Sequence, residues 1–309
     1  MPSLLVYYRQ GILQTQILPN VFRGVDWCKD DNGLVLAGDG GRIIEVHGEK
    51  SVVVDSGTRQ NLRAVSTNGQ DGTTLVVGNS GTVIELYEDH MHKTINLSTM
   101  ENLRAVSWRP GEKSALIAGN AGTLLSYSQS SVEGVAGARA NLRRISWRPN
   151  GHGALVASNC FAEEFIPSPN LFVFDPESKS LSPANEGRAD FIGVDWKTDG
   201  SAAIVVGYDI IWHNGYIGIF DGDRLSPVAF ENRRVYPVAV AWNRSADNAV
   251  IATATTQPGM GQGMLYIWNR ENLEPTFKSA EFFFSSVRWN RDGTEFAALA
   301  SSATRTFNC

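Results

Sequence analysis

Short runs of aliphatic and β-branched residues recur along the whole chain, among them Leu34-Val-Leu36, Leu75-Val-Val77 and Ala203-Ile-Val-Val206. Each is bracketed by polar turns. Before the runs stand Lys29-Asp-Asp-Asn-Gly33, Lys197-Thr-Asp-Gly200 or Arg291-Asp-Gly293. After them come Gly38-Asp-Gly-Gly41, Gly78-Asn-Ser-Gly81 or Gly119-Asn-Ala-Gly122, and then a further strand such as Ile43-Ile-Glu-Val46 or Val83-Ile-Glu-Leu86. Strand-length apolar runs separated by Gly, Asn and Asp predict antiparallel β structure with almost no helix.

The runs belong to a repeat. Asn61-Leu-Arg-Ala-Val-Ser-Thr67, Asn102-Leu-Arg-Ala-Val-Ser-Trp108 and Asn141-Leu-Arg-Arg-Ile-Ser-Trp147 are copies of one unit. Its last residue falls at Trp27, Thr67, Trp108, Trp147, Trp196, Trp242 and Trp289, with spacings of 40, 41, 39, 49, 46 and 47 residues by subtraction. A repeat of about 40–50 residues holding four short strands predicts an all-β, seven-bladed β-propeller of four-stranded antiparallel blades. The aromatic anchor has a physical purpose. It fills the wedge between neighbouring blades while its indole N–H takes an acceptor, and Thr67 should leave less bulk in the second blade.

Trp289 is followed by only twenty residues, too few for a whole blade. Leu4-Leu-Val-Tyr-Tyr8 and Ile12-Leu-Gln-Thr-Gln-Ile-Leu18 match the third and fourth strands of the first repeat, so the N-terminal strands are expected to close the last blade. Residues 303–309 are the competing candidate for its third strand. The expected organisation is one domain over 1–309, with blades at 20–56, 59–98, 101–136, 140–185, 189–230, 235–278 and 282–309 plus 1–18.

The inner strand and its turn, Val194-Asp-Trp-Lys-Thr-Asp-Gly200, and the strand Leu265-Tyr-Ile-Trp-Asn269 resemble those of WD40-like propellers. The Gly-x-x-Gly turns of blades one to three (Gly38/Gly41, Gly78/Gly81, Gly119/Gly122) are similar to those of photosystem-assembly-type propellers. No blade carries the GH element or the Asp that usually lock the WD40 network. The resemblance implies a platform for macromolecular partners rather than a catalyst.

In that family the loop entering the inner strand and the loop between the second and third strands share one face. Two departures from the repeat fall there. Arg23, Arg63, Arg104 and Arg143 stand four positions before the anchor in blades one to four, where Ile192, Val238 and Ser285 stand in blades five to seven. Arg59, Arg139, Arg188 and Arg234 stand eight before it. A ring turns this recurrence into a basic crescent suited to carboxylate or phosphate groups. The plainer alternative is a repeated clamp, each Arg pairing with a nearby carboxylate such as Asp55, Glu101, Glu186, Asp190 or Glu231. The second departure is loop length. The connections at 158–170, 208–216 and 255–263 are long and carry Phe161, Phe165, Tyr208, Trp212, His213 and Met260, either as contact surface or folded back as a plug.

Composition narrows the reading. Net charge is −5, which argues against bulk nucleic-acid binding, although 20 of the 27 basic residues are Arg. Cys28, Cys160 and Cys309 show no CxxC spacing, so neither a disulfide framework nor a zinc site is indicated and a reducing, cytoplasmic location is expected. No apolar run approaches membrane-span length, and the first twenty residues lack a signal-peptide block. For catalysis the candidates are Glu163, Glu164, Asp209 and His213, an acid–base cluster only if they converge. His90 and His92 would share a strand face but lack an evident third ligand. Asn290-Arg-Asp-Gly-Thr294 partly resembles an Asp-box, and turn chemistry accounts for it.

The expectation is a monomeric, non-catalytic protein-interaction scaffold without cofactor or metal. Its partner, a protein with acidic or phosphorylated segments, would dock on Arg23, Arg59, Arg63, Arg104, Arg139, Arg143, Arg188, Arg234, Phe161, Tyr208, Trp212 and His213. The alternatives are a nucleic-acid-binding propeller, or a hydrolase or lyase with its site at the channel mouth.

Overall fold

The structure is a computed structural model that describes residues 1–135, 137–159, 169–185, 189–209, 214–228, 235–245, 247–255 and 263–302. Its strands form seven four-stranded antiparallel sheets. The inner strands are Phe22–Trp27, Leu62–Thr67, Leu103–Trp108, Asn141–Trp147, Ala189–Trp196, Val235–Trp242 and Phe283–Trp289. Each packs against the next, and the seventh packs against the first, so the sheets form a closed ring: a seven-bladed β-propeller.

Closure is made by the N-terminus. Ser3–Arg9 pairs with Phe296–Ser301, Leu5 opposite Leu299, and Ile12–Leu18 pairs outside it. Leu4 and Val6 enter the core between blades six and seven, while Leu5 and Leu18 enter the core between blades seven and one. One strand thus seals two interfaces, because successive side chains point to opposite faces of a sheet. Residues 303–309, the competing candidate, lie outside the described residues.

The anchors sit as their chemistry requires. The indole N–H groups of Trp27, Trp108, Trp147 and Trp289 donate to the carbonyls of Arg288, Ser66, Ser107 and Ala241, in each case the residue before the preceding blade's anchor. Each tryptophan therefore ties its blade to the one before. Trp196 and Trp242 depart from this, their indole nitrogens being buried with no acceptor among the described residues. Guanidinium groups lie over both rings, Arg148 at 4.7 Å and Arg270 at 5.9 Å, as Arg109 lies 5.7 Å over Trp147. In blade two the Thr67 hydroxyl meets that of Thr74 at 2.9 Å, a buried polar pair where the other blades place an indole.

The Gly-x-x-Gly turns also join blades. The side chains of Asn61, Asn102 and Asn141 each accept the N–H of the third turn residue in the preceding blade, Gly40, Ser80 and Ala121. Those three residues have left-handed φ angles of 69°, 54° and 51°. The closing Gly41, Gly81 and Gly122 are also left-handed, and a Cβ there would lie 1.9, 2.1 and 1.8 Å from the carbonyl oxygens of Thr58, Thr99 and Ala138. The repeated Asn is a clamp to the previous blade, and the repeated Gly admits the loop that carries it.

Deleting residues 1–18 should abolish cooperative folding, because it opens the edge of Phe296–Ser301 and removes apolar side chains from two cores. Circular dichroism and light scattering on the truncated chain would test this. A soluble, cooperatively unfolding truncation would show that the ring closes without these strands.

Candidate functional site

Every inner strand carries a β-bulge at the same place. The register slips between Phe22 and Gly24, Leu62 and Ala64, Leu103 and Ala105, Leu142 and Arg144, Phe191 and Gly193, Pro237 and Ala239, and Phe284 and Ser286. The extra residue is therefore Arg23, Arg63, Arg104, Arg143, Ile192, Val238 or Ser285, the position four before the anchor. A bulge re-aims the side chain it carries. Here it brings each arginine back onto the end of the second strand of its own blade.

Arg23 makes a bidentate ion pair with Asp39, at 2.6 and 2.7 Å. In the next three blades the equivalent partner is a neutral amide: Nε of Arg63, Arg104 and Arg143 donates to Oδ1 of Asn79, Asn120 and Asn159 at 2.8, 3.1 and 2.6 Å. The spacing is sixteen residues every time. None of these contacts uses the expected clamp carboxylates. An amide fixes the guanidinium plane through Nε and brings no compensating charge of its own. Arg63 has Asp39 only at 4.0 Å, and among the described residues no carboxylate lies within ion-pair distance of Arg104.

The result is a file of half-buried like charges at the channel mouth. Burial pushes Arg104 down to about 10, and the guanidinium groups of Arg143, Arg63 and Arg23 add to the shift. Arg63 is lowered by burial first and by Arg23 second, with Asp39 acting against both. A basic group lowered on folding is destabilised in its charged form, so the cost is present at neutral pH and is relieved only as pH rises past the lowered value.

The other predicted site residues are dispersed or undescribed. Arg59 and Arg139 are exposed on the loops entering blades two and four. Tyr208 is half-buried, and its ring packs edge-on against Tyr236, 5.6 Å between centroids. Arg188, Arg234, Phe161, Trp212 and His213 lie outside the described residues, as do Glu163, Glu164, Phe165 and Met260. The blade-five connection is tighter than expected. Its strands run to Asp209 and from Asn214, and these two residues pair.

Two positions were missed. The residue three before the anchor is Gly24, Ala64, Ala105, Gly193, Ala239 or Ser286 in six blades but Arg144 in the fourth. The inner strands crowd there, since a Cβ on Gly24 would lie 3.0 Å from the Ala64 Cα. Arg144 instead reaches across the lumen, donating to the carbonyl of Ser285 in blade seven at 3.0 Å. One residue before the anchor stand Asp26, Asp195 and Arg288. Asp26 accepts the Thr67 N–H at 2.8 Å, and Asp195 accepts the Trp242 N–H at 2.7 Å and the Ser146 hydroxyl at 3.0 Å. These groups line a cavity of about 480 Å³ at the anchor end of the channel. Burial raises both carboxylates above the usual range, while Arg288 pulls both back.

The remaining candidates resolve into local structure. His90 lies in a turn with φ 63° and contacts Glu45 at 3.0 Å, while His92 opens the next strand, so the two do not share a strand face. Among the described residues no three His, Cys, Asp or Glu side chains gather as metal ligands. Asn290 and Asp292 fold their own turn by accepting the Thr294 N–H. Burial pushes the Cys28 thiol up to about 12, with Glu45, Asp30 and Asp26 adding to it, so it is not a thiolate nucleophile at neutral pH. No helix among the described residues is long and apolar enough to cross a membrane.

No protein-family model and no curated protein matches the chain. Among solved structures it is similar to hydrazine synthase of Kuenenia stuttgartiensis, with a TM-score of 0.75 and 14% identity over 94% of this chain and 95% of that one. At that identity the likeness is one of fold. As many as 1490 solved chains match, so the architecture leaves function to the site residues.

Two substitutions test the electrostatics. Asn120→Asp should give Arg104 the carboxylate that Arg23 already has, raising the melting temperature by roughly 2 °C; an unchanged or lower value would show that the cluster is not under charge strain. Asp195→Asn keeps an acceptor for the Trp242 N–H. A carboxyl raised on folding stabilises the fold below its unfolded value and loses that contribution as pH rises through the folded one. The variant should therefore melt higher than the parent at pH 7, with the gain shrinking on acidification. A gain that persists in acid would point to packing.

Proposed function

We propose that the chain is a non-catalytic interaction platform whose Arg-rich channel mouth takes a partner bearing carboxylate or phosphate groups. The observation that carries this reading is the neutrality of the amides that hold Arg63 and Arg104. A structural clamp would place carboxylates at those positions, as blade one does with Asp39. Amides orient the guanidinium forks while leaving their charge for a partner, so the cost of ordering long side chains is met before binding.

The platform role is also what the resemblance to WD40-like propellers implies. Arg59 and Arg139, exposed on the neighbouring loops, extend the positive surface outward. The protein acts as a monomer within a larger assembly, and its partner is a protein with an acidic or phosphorylated segment.

The test uses fluorescent phosphoserine-containing and polyglutamate peptides beside uncharged controls. The wild-type chain should bind the anionic peptides, and Arg63→Glu/Arg104→Glu/Arg143→Glu should bind them at least tenfold more weakly, a change of ~1.4 kcal/mol. Equal binding by the two proteins, or a triple variant that loses its fold along with its binding, would favour a purely structural role for these arginines.

A further inference from the structure

At its anchor end the channel opens into a cavity of about 480 Å³, a size common to small-molecule sites. The residue one before the anchor lines it in every blade. Six of these seven positions are polar, Asp26, Ser66, Ser107, Ser146, Asp195 and Arg288, with Ala241 the exception.

Scaffolding accounts for only half of them. Asp26, Ser146 and Asp195 each accept the backbone N–H of the next blade's anchor, from Thr67, Trp196 and Trp242 at 2.8, 3.1 and 2.7 Å. Ser66, Ser107 and Arg288 make no such cap. The two serine hydroxyls are half-buried and have no hydrogen-bond partner among the described residues. Arg288 donates to the carbonyl of Val287, its own neighbour in sequence. These three polar side chains face the cavity without holding one blade to another.

The charges in the wall stand opposite one another without touching. Burial disfavours the charge on Asp26 and Asp195, and Arg288 opposes it on both from across the cavity. Among the described residues no cation lies within ion-pair distance of either carboxylate, and no carboxylate within that distance of Arg288. The other arginines are engaged elsewhere or exposed. Arg109 has Glu112 at 3.3 Å, Arg291 has Asp31 at 2.7 Å, Arg144 is tied to two backbone carbonyls, and Arg244 is exposed. A group placed between Arg288 and the two carboxylates must donate to one and accept from the other, which a hydroxyl does. Groups of both signs in one wall also disfavour a ligand of net charge. Each inner strand is the edge of its sheet, so N–H and C=O groups that no neighbouring strand pairs stand around the lumen as well. Donors and acceptors on all sides match a ligand with hydroxyls around its whole periphery.

We propose that the anchor-end cavity is a binding site for a free, neutral cyclic polyol, a hexose-sized sugar or inositol. Adjacent hydroxyls of the ring link Arg288 to the carboxylates of Asp26 and Asp195, and the remaining hydroxyls meet Ser66, Ser107 and the strand edges. The site is independent of the partner face, since Arg23, Arg63, Arg104 and Arg143 do not line it.

Isothermal titration calorimetry with D-glucose, D-galactose, D-mannose and myo-inositol, each at millimolar concentration, tests this beside glycine as a zwitterion and sodium phosphate as an anion. At least one of the polyols should bind the wild-type chain saturably, one molecule per chain. Arg288→Gln should weaken that binding roughly tenfold or more. Ser66→Ala/Ser107→Ala removes hydroxyls that cap nothing, so it should melt as the wild type does yet bind several-fold more weakly. Arg104→Gln should weaken anionic-peptide binding and leave polyol affinity unchanged, which keeps this site distinct from the proposed partner face. No saturable heat with any of the four polyols overturns the proposal, and so does saturable binding of glycine or phosphate in their place. Equal polyol affinity in Arg288→Gln overturns it as well. Should that variant fail to fold, the serine double variant decides, and wild-type affinity in it counts against the site.

Discussion

Seven sheets share one axis only if each inner strand turns away from its neighbours at the same height, and the bulge four residues before the anchor is where this happens. It is present in every blade, whatever residue occupies it. Above it, the Asn side chains of blades two to four reach back to the preceding turns. Below it, four of the anchor indoles reach back to the preceding carbonyls. The bulge itself places one side chain per blade at the channel mouth. Scaffold and site therefore occupy the same strand, with their functions divided by height along it.

The two ends of the ring use basic side chains differently. On the anchor side they clamp blades: Arg109 donates to the Gly151 carbonyl at 2.8 Å and Arg148 to that of Gly200 at 3.2 Å. Lys197 lies 3.5 Å from Asp247, and Arg291 binds Asp31 and the Cys28 carbonyl, both at 2.7 Å. Each of these contacts crosses to another blade. At the mouth, Arg23, Arg63, Arg104 and Arg143 hold partners within their own blades. They stand beside one another as like charges, an arrangement that costs stability and that packing alone does not call for.

Much of this was legible in the chain. The anchor spacing, the turns and the matching N-terminal strands are local patterns, and local patterns survive in a linear text. The arginine column was also visible, but its partner was not. The expected carboxylates are near neighbours in sequence, whereas the bulge directs the guanidinium to a residue sixteen positions on, and only a bulged register brings the two together. The Asp/Asn column at 39, 79, 120 and 159 is the signal that would have found it. Arg144 does not stand out in the sequence because it sits beside the repeating Arg143. Its meaning lies in the small residues that fill its column elsewhere, a constraint set by how closely the strands approach the axis.

Net charge misled in a similar way. A chain of −5 reads as acidic, yet the sum hides its arrangement. Several carboxylates lie in the turns at the anchor end, where Asp175, Asp199, Asp221 and Asp292 fold their own loops through backbone and hydroxyl donors and are held below the usual carboxylate range by those bonds. Such groups stay ionised and solvated, and they screen poorly into a narrow lumen walled by protein. The arginines on the axis therefore keep a strong local field inside an acidic molecule. These acidic turns lie at the end of the ring opposite the Arg-lined mouth, so the charge of the chain is divided between its two faces rather than spread evenly.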